Sequence, residues 1–374
     1  MVIILIGNYS KDQQESMLRF SSMLQTGFTL AGYSCLVWRA NTIFGHLTKS
    51  TQSGFGKWLG YIDKFILYPI ILKSKILFYD KEEVVFHICD HSNSIYLPYF
   101  VNRNISITCH DVLAIRGSLG FEDSYCQSSK VGKFFQQWIL RNLRKAQKII
   151  SISEFTLKQL NELCASTEIL KRKVIYQGFN ANFSVLSKDE IDKRLDSFQL
   201  VNKRFLLCVG SSHQRKNRVM LLKMVFELGV SWDGVICFAG EKLDDKLTNI
   251  AIELNLLHRI ISIVSPTHET LVALYNGCEA FIFPSYSEGF GMPLIEAQAC
   301  GAPVIASSIQ PMPETSGGAA IHIFPDDSKG FANAILLLQN EDYRNELIAN
   351  GYKNIKRYDV KSMAINYLTF FVEN

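Results

Sequence analysis

The sequence predicts an α/β protein of two units, each a parallel sheet with crossover helices. Two observations carry this. The strongest apolar segments repeat the order strand, turn, helix, which favours α/β layers over a sandwich or a helical bundle. At 374 residues with a 48% hydrophobic composition, the chain exceeds one typical domain and supplies two cores of about 180 residues each.

The elements follow in order. Val2–Ile6 reads as the first core strand, ending near Gly7, and further strands end near Trp38, His87, Thr108 and Ile152. Helical stretches are expected at 13–31 and 130–146, and 173–179 reads as the last strand and exit turn of a first half ending near Asn180. The polar, charged run 187–194 reads as a connector. In the second half 204–210 opens a new sheet, 235–238 ends at Ala239-Gly240, and Ile260–Val264 ends at Ser265-Pro266. Ala280–Phe283 ends at Pro284, and 303–306 ends at Ser307. The expected division is 1–183, 184–352 and a terminal piece 353–374, whose apolar and aromatic residues either complete the second domain or return to the first. Parallel sheets bind ligands outside the carboxyl ends of their strands, so the turns after Gly210, Ala239-Gly240 and the Glu288 loop are expected on one rim.

Composition narrows the function classes. The net charge of +4 hides an asymmetry: residues 1–180 carry 21 Lys and Arg against 13 Asp and Glu, the remainder 18 against 22. A basic front half suits a membrane surface or an anionic acceptor, and no recognisable module supports a nucleic-acid partner. Nine widely spaced cysteines without a CxxC fit buried thiols in a reducing cytosol rather than a zinc knuckle or disulfide scaffold. The start lacks the basic leader and cleavage region of a secretion signal, and no apolar run reaches about 18 residues. Residues 57–75 mix aromatics and aliphatics with four lysines and one aspartate. A pair of packed helices broken at Pro69 is the expectation there; the alternative is an interfacial segment with lysines toward acidic head groups.

The most informative stretch is Ser287-Glu288-Gly289-Phe290-Gly291-Met292-Pro293-Leu294-Ile295-Glu296. The strand before it places Glu288 at the strand's mouth, and the helix opened by Pro293 carries Glu296. Glycines in the turn let a ligand approach the backbone, and exposed helix-start N–H groups favour an anion. A carboxylate there accepts hydroxyl hydrogen bonds from a sugar ring or ribose. Isolated acidic pairs are more often helix-dipole or solvation pairs; the full spacing carries the signal.

Arg215 and Lys216, in the turn after Gly210, suit the neutralisation of a leaving diphosphate, Arg by its planar fork and Lys as a point charge. His110 follows an apolar strand and can bond a sugar hydroxyl, with Asp111 orienting its ring or capping the next segment. His91 is a second, weaker candidate, and Ser10 and Gln13 follow the first strand on the acceptor side. His87, Asp90 and His91 lack metal-ligand geometry, so no metal is expected. GxGxxG, GxxxxGK[ST] and GxSxG are absent, which disfavours dehydrogenase, ATPase and serine hydrolase chemistry.

Jointly these motifs resemble the GT-B fold glycosyltransferases of family 4, the large retaining group, whose signature pairs two glutamates across seven residues. Glu288 and Glu296 match it, as do Ala299-Cys300-Gly301-Ala302-Pro303, Met312-Pro313-Glu314, Val209-Gly210 with Arg215-Lys216-Asn217, His110-Asp111, Ile152-Ser153-Glu154 and Val174-Ile175-Tyr176-Gln177-Gly178. The resemblance implies two Rossmann-like domains facing across a cleft, with the terminal helix crossing back to the first. It implies that Glu288 contacts the donor sugar, Glu296 the ribose, Arg215 and Lys216 the diphosphate, and His110 the transferred sugar. Backbone of Phe290, Gly291, Met292, Pro293 and Leu294 is implied to hold phosphate or sugar. Many relatives have a glycine-rich loop after the first strand; Gly7-Asn8-Tyr9-Ser10-Lys11-Asp12 departs from it, which puts that donor contact in doubt.

The closer likeness is to a cyanobacterial envelope-polysaccharide glucosyltransferase that uses UDP-glucose. The expected reaction moves glucose from UDP-glucose to a lipid-linked or oligosaccharide acceptor, without an obligatory cofactor or metal. The expected place is the cytoplasm, with a peripheral position at the inner face of the plasma membrane as the alternative. A sugar-nucleotide epimerase and a nonenzymatic nucleotide-sugar-binding subunit are the alternatives.

Overall fold

The computed structural model describes residues 1–80, 83–164, 171–179 and 182–373; the expected end of the first half at Asn180 lies outside them, as do Asn374 and the run 165–170. The chain forms two compact units. The first comprises Met1–Phe121, Cys126–Gly178 and Tyr358–Asn374, the second Glu122–Tyr125 and Phe179–Arg357.

Six strands build the first sheet: β1 Val2–Ile6, β2 Ser34–Trp38, β3 Val84–Ile88, β4 Ile105–Cys109, β5 Lys148–Ser151 and β6 Lys171–Val174. Their order is β2-β1-β3-β4-β5-β6, and the described pairings are parallel. Alternation along β1 sends Ile4 and Ile6 into one core with Phe86, Ile107 and Ile149. Ile3 and Leu5 enter the core on the other face, with Phe20, Phe28, Tyr367 and Phe371.

The helix Val360–Val372 therefore covers the first sheet, packed against the helix Glu15–Leu30. Gly27 permits that approach: a Cβ there would stand 2.8 Å from the Ala364 Cβ. Beneath it, Tyr367 and Thr108 hydroxyls lie 2.9 Å apart, and His87 contacts Thr108 Oγ1 at 2.9 Å and Ser106 Oγ at 2.8 Å. Burial drives the His87 pKa down to about 3, so this strand-centre histidine is neutral structure.

The second sheet contains β7 Phe205–Gly210, β8 Val235–Gly240, β9 Ile260–Val264, β10 Ala280–Phe283, β11 Val304–Ser307 and β12 Ile321–Ile323. Its order is β12-β11-β10-β7-β8-β9, again with parallel pairings. Phe205 and Leu207 face one core, Leu206 and Cys208 the other.

Two expectations need correction. The run 187–194 is no loose connector: Lys188–Leu195 is a helix of the second unit. Ser187 and Glu190 form a reciprocal capping box, while Leu195 and Ile191 supply its apolar contact to the core. Residues 57–75 are not two helices broken at Pro69. Gly54–Ile62 continues through a π turn, Asp63–Leu67, into Tyr68–Leu77, with Pro69 in the first turn of that last segment. There a missing N–H costs least, and the widened turn upstream absorbs the ring. The π turn also holds Asp63 inward. Its carboxylate accepts Ile43 N at 3.0 Å, Phe44 N and Gly45 N at 2.9 Å, and Tyr9 Oη at 2.6 Å. Burial opposes that charge, but the four donors hold the Asp63 pKa below its ordinary value.

Candidate active site

In each sheet the strand order reverses once, and the loops flanking that reversal leave a crevice at the carboxyl edge. In the second sheet the reversal lies between β7 and β10. The loop after β7 carries Arg215 and Lys216; the loop after β10 carries Glu288. Gly210 and Gly240 end β7 and β8 at φ 138 and 126. A Cβ on Gly240 would meet the Gly210 carbonyl oxygen at 2.5 Å, so the strand ends close up and the loops turn outward together.

The basic turn is tied to the acidic loop by backbone first. Tyr286 N donates to Arg215 O at 2.8 Å, and Asn217, left-handed at φ 50, donates to Pro284 O at 3.3 Å and Pro325 O at 2.7 Å. Side chains then converge. Arg215 Nη1 donates to Glu288 Oε2 at 2.7 Å and to Ser287 O at 3.1 Å, while Lys216 Nζ lies 2.7 Å from Glu288 Oε1. Burial disfavours the Glu288 charge, but Lys216 and Arg215 outweigh it and hold its pKa below the carboxylate range. The two cations and the carboxylate, from loops expected on one rim, form one triad around the buried Glu288.

Glu296 is buried on the helix Met292–Ala299, which Gly291 opens at φ 94 and Pro293 enters in its first turn. Its Oε2 accepts Tyr275 Oη at 3.0 Å. Burial raises the Tyr275 pKa well above 10, so that phenol is a donor. The side chains of Phe290 and Leu294 are buried, Met292 and Pro293 half-buried. The Phe290 carbonyl accepts Thr315 Oγ1 and the Gly291 carbonyl accepts Leu294 N, so these two carbonyl oxygens are engaged within the protein. Asn217 enters the sequence reading only within the Arg215-Lys216-Asn217 motif, and Tyr275 and Thr315 do not enter it. Only Asn217 left a signal there, as a residue tolerant of positive φ beside Arg215-Lys216. An open pocket of about 760 Å³ borders the same turn between His213 and Asp244; neither Glu288 nor Lys216 lines it.

The first sheet reverses between β1 and β3, which places the Asn8 and Asp90 loops together. Asn8 Nδ2 donates to Asp90 Oδ2 at 2.6 Å and Gln14 Oε1 at 2.7 Å, and Asn93 Nδ2 donates to Asn8 Oδ1 at 3.1 Å. On the next loop, His110 is buried with Phe20 edge-on at 4.5 Å. Its Nε2 lies 2.8 Å from Cys89 O. A carbonyl only accepts, so Nε2 carries the proton and Nδ1 presents a lone pair, with no hydrogen-bond partner among the described residues. Burial lowers the His110 pKa and keeps the ring neutral. The Cys89 carbonyl, not Asp111, sets that ring; Asp111 Oδ1 accepts Leu113 N at 3.0 Å and caps the following segment. Gln13, at φ 50, and exposed Ser10 lie beyond β1 without a contact to His110 among the hydrogen bonds described.

His91 Nδ1 stands 3.1 Å from Asp90 Oδ1. Burial alone lowers the His91 pKa, but Asp90 outweighs it and raises it above 6.5; Asp90 is held far below the carboxylate range. A raised histidine pKa gives stability that is complete below the unfolded value and fades as pH rises through the folded one. His91→Gln is therefore expected to lower the urea midpoint at pH 6 and to approach wild type at pH 9. A deficit that stays constant across that range would remove the ion pair from the account.

Residues 189–354, within the second unit, match the family Glycosyl transferases group 1. Over the full length, the chain shares its fold with sucrose-phosphate synthase from Thermosynechococcus elongatus, at TM-score 0.75 and 19% identity over 99% of this chain and 98% of that one. The chain has the GT-B fold. Anabaena Alr3699/HepE, solved in complex with UDP and glucose, has the same fold at TM-score 0.72 and 16% identity, over 99% of this chain and 98% of that one. By sequence, this chain is 26% identical over 269 residues to the O-antigen chain mannosyltransferase RfbU of Salmonella typhimurium, covering 71% of this chain and 69% of that protein. The O-antigen chain mannosyltransferase B of Escherichia coli is 25% identical over 275 residues, covering 72% and 70%.

Proposed function

We propose that this protein is a glycosyltransferase that moves a hexose from a nucleoside-diphosphate sugar to a lipid-linked or oligosaccharide acceptor in envelope polysaccharide synthesis, with retention at the anomeric carbon. The observation that carries the reading is the Arg215–Lys216–Glu288 triad at the sheet reversal. Without ligand, the cations are compensated by one carboxylate. A bound diphosphate takes over that compensation and releases Glu288 to accept sugar hydroxyls. Glu296, held by Tyr275, takes the ribose, and backbone groups from Phe290 to Leu294 take phosphate or sugar. His110 Nδ1 accepts a hydroxyl of the transferred sugar.

The C1–O bond breaks with its electron pair leaving on the phosphate oxygen, which Arg215 and Lys216 stabilise as the ring gains oxocarbenium character. The acceptor hydroxyl oxygen bonds C1 on the same face, and its proton passes to that phosphate oxygen. No side-chain nucleophile is needed, unlike the carboxylate pair of retaining glycosidases. The residues holding the diphosphate are cationic side chains and amides, so the proposal includes no metal; among the described residues no cluster of three His, Cys, Asp or Glu suits one.

UDP-glucose is the donor favoured by the sequence resemblance, and HepE complexes with UDP and glucose accord with it. The mannosyltransferase relatives favour a mannosyl donor as the second reading. Incubation with UDP-, GDP- and ADP-sugars in the presence of saccharide acceptors is expected to release free nucleotide from one donor class. Anomeric NMR of the product should show retained configuration. Conversion of the nucleotide sugar without acceptor would instead identify an epimerase, and binding without turnover a nonenzymatic subunit.

A further inference from the structure

A row of exposed apolar side chains lies on the helical rod built from Gly54–Ile62, Asp63–Leu67 and Tyr68–Leu77. Both faces of the rod are apolar. Leu59, Tyr68, Leu72 and Ile76 are buried, as a packed helix requires. On the outer face Phe55 is 78% exposed, Trp58 56%, Ile66 57% and Ile70 63%. Steps of three, eight and four residues keep these four on one helical stripe, and Leu77, also exposed, continues it.

Neighbouring segments extend the stripe into a patch. The buried Asp63 carboxylate gathers the amides of Ile43, Phe44 and Gly45, fixing exposed Ile43, Phe44 and Leu47 beside the rod. The helix Lys130–Leu143 joins through Phe135, 4.9 Å from the Tyr61 ring and 5.2 Å from Phe65, and brings exposed Val131 and Phe134. Soluble surfaces rarely gather this much apolar area without a partner.

Charge identifies the partner. Between residues 41 and 79 the only carboxylate is Asp63, which is buried and fully engaged, and residues 124–146 contain none. Lys49, Lys57, Lys73, Lys130 and Lys133 are exposed on these same segments. Lys64, by contrast, is paired with Asp12 at 2.5 Å. An apolar, aromatic stripe among uncompensated lysines fits an anionic bilayer, with rings at head-group depth and ammonium groups on lipid phosphates. A protein partner or second copy would have to supply matching acids, and these segments offer a second copy none. Among the described residues no helix is long and apolar enough to cross a membrane, so the rod would lie on the surface.

We propose that the face built by Phe55, Trp58, Ile66, Ile70 and Phe134 with Lys57 and Lys73 docks on an anionic lipid bilayer. This is independent of the donor chemistry, so the test needs no sugar nucleotide. Purified protein is mixed with phosphatidylglycerol–phosphatidylcholine vesicles or with phosphatidylcholine alone and floated through a density gradient. Flotation is expected with the acidic vesicles only, weakening as salt rises, and brominated lipid is expected to quench Trp58 but not the buried Trp38 and Trp232. The double variant Trp58→Ser, Ile70→Ser should reduce partition by at least about tenfold. Lys57→Gln with Lys73→Gln should reduce it about fivefold per lysine. Both pairs are exposed, and an unchanged unfolding midpoint confirms that they fold. Wild-type protein that stays with the soluble fraction at low salt overturns the proposal, as does wild-type partition by the variants. Lipid-free self-association that the same variants abolish also overturns it, by assigning the face to a second copy.

Discussion

Glu288→Gln is expected to lower the unfolding free energy by about 3 kcal/mol and to bring the greater part of that back when a nucleoside diphosphate is added. The first effect follows from burial. The variant keeps the shape of the side chain but leaves Arg215 and Lys216 without their shared anion, and removing one partner of a buried ion pair costs about 3 to 5 kcal/mol. Arg215 is partly exposed, which places the expectation at the low end. The second effect follows from the proposed role. A diphosphate supplies the missing negative charge, so it should raise the midpoint of the variant more than that of wild type. Turnover should fall about a hundredfold or more, because sugar hydroxyls lose their charged acceptor. Urea titrations with and without UDP and GDP decide it; equal midpoints and equal ligand shifts in the two proteins would sink the triad as a donor site.

Arg215→Ala is expected to act on the reaction more than on the fold. Its guanidinium reaches the protein through Glu288 Oε2 and the Ser287 carbonyl, and Lys216 remains on the other carboxylate oxygen after its loss. The loss of a charged hydrogen bond to the leaving group should cost about 1.5 to 3 kcal/mol, or about ten- to 150-fold in kcat/KM. Because charge on that oxygen grows as the C1–O bond breaks, a sizeable part should appear in kcat. Arg215→Lys should recover only part of the loss, since a point charge does not reproduce the planar fork. Steady-state kinetics with the active donor provide the measurement, and a kcat equal to wild type would free Arg215 from the role.

Much of the fold was legible because core strands of a parallel sheet are buried on both faces and read as uninterrupted apolar runs. Ala280–Phe283 and Phe205–Gly210 are of that kind. The run 187–194 was misread because its polar composition outweighed the Ser187–Glu190 capping box, although that signature was present. Pro69 was misread for a different reason. A proline marks a break only if the hydrogen-bond ladder upstream keeps its α register, and the π turn at Asp63–Leu67 changes that register.

The candidate site divides the same way. The pattern from Glu288 to Glu296 is local, and short-range spacing was enough to mark both glutamates, with Pro293 and Gly291 opening the helix. Arg215 and Glu288 are 73 residues apart, and only the adjacency of β7 and β10 brings their loops into contact. The Tyr275 hydroxyl on Glu296 and the Cys89 carbonyl on His110 are likewise contacts between separate elements. Sequence by itself determined the two α/β units, the candidate loops and the chemical type of each group on them, because burial periodicity and turn chemistry are properties of neighbouring residues. Tertiary structure alone decided that two cations share one carboxylate, that His110 presents Nδ1, and that the outer stripe of the rod joins Phe134 in one patch. Those depend on which strands and helices become neighbours, and no local spacing encodes a distance across a sheet.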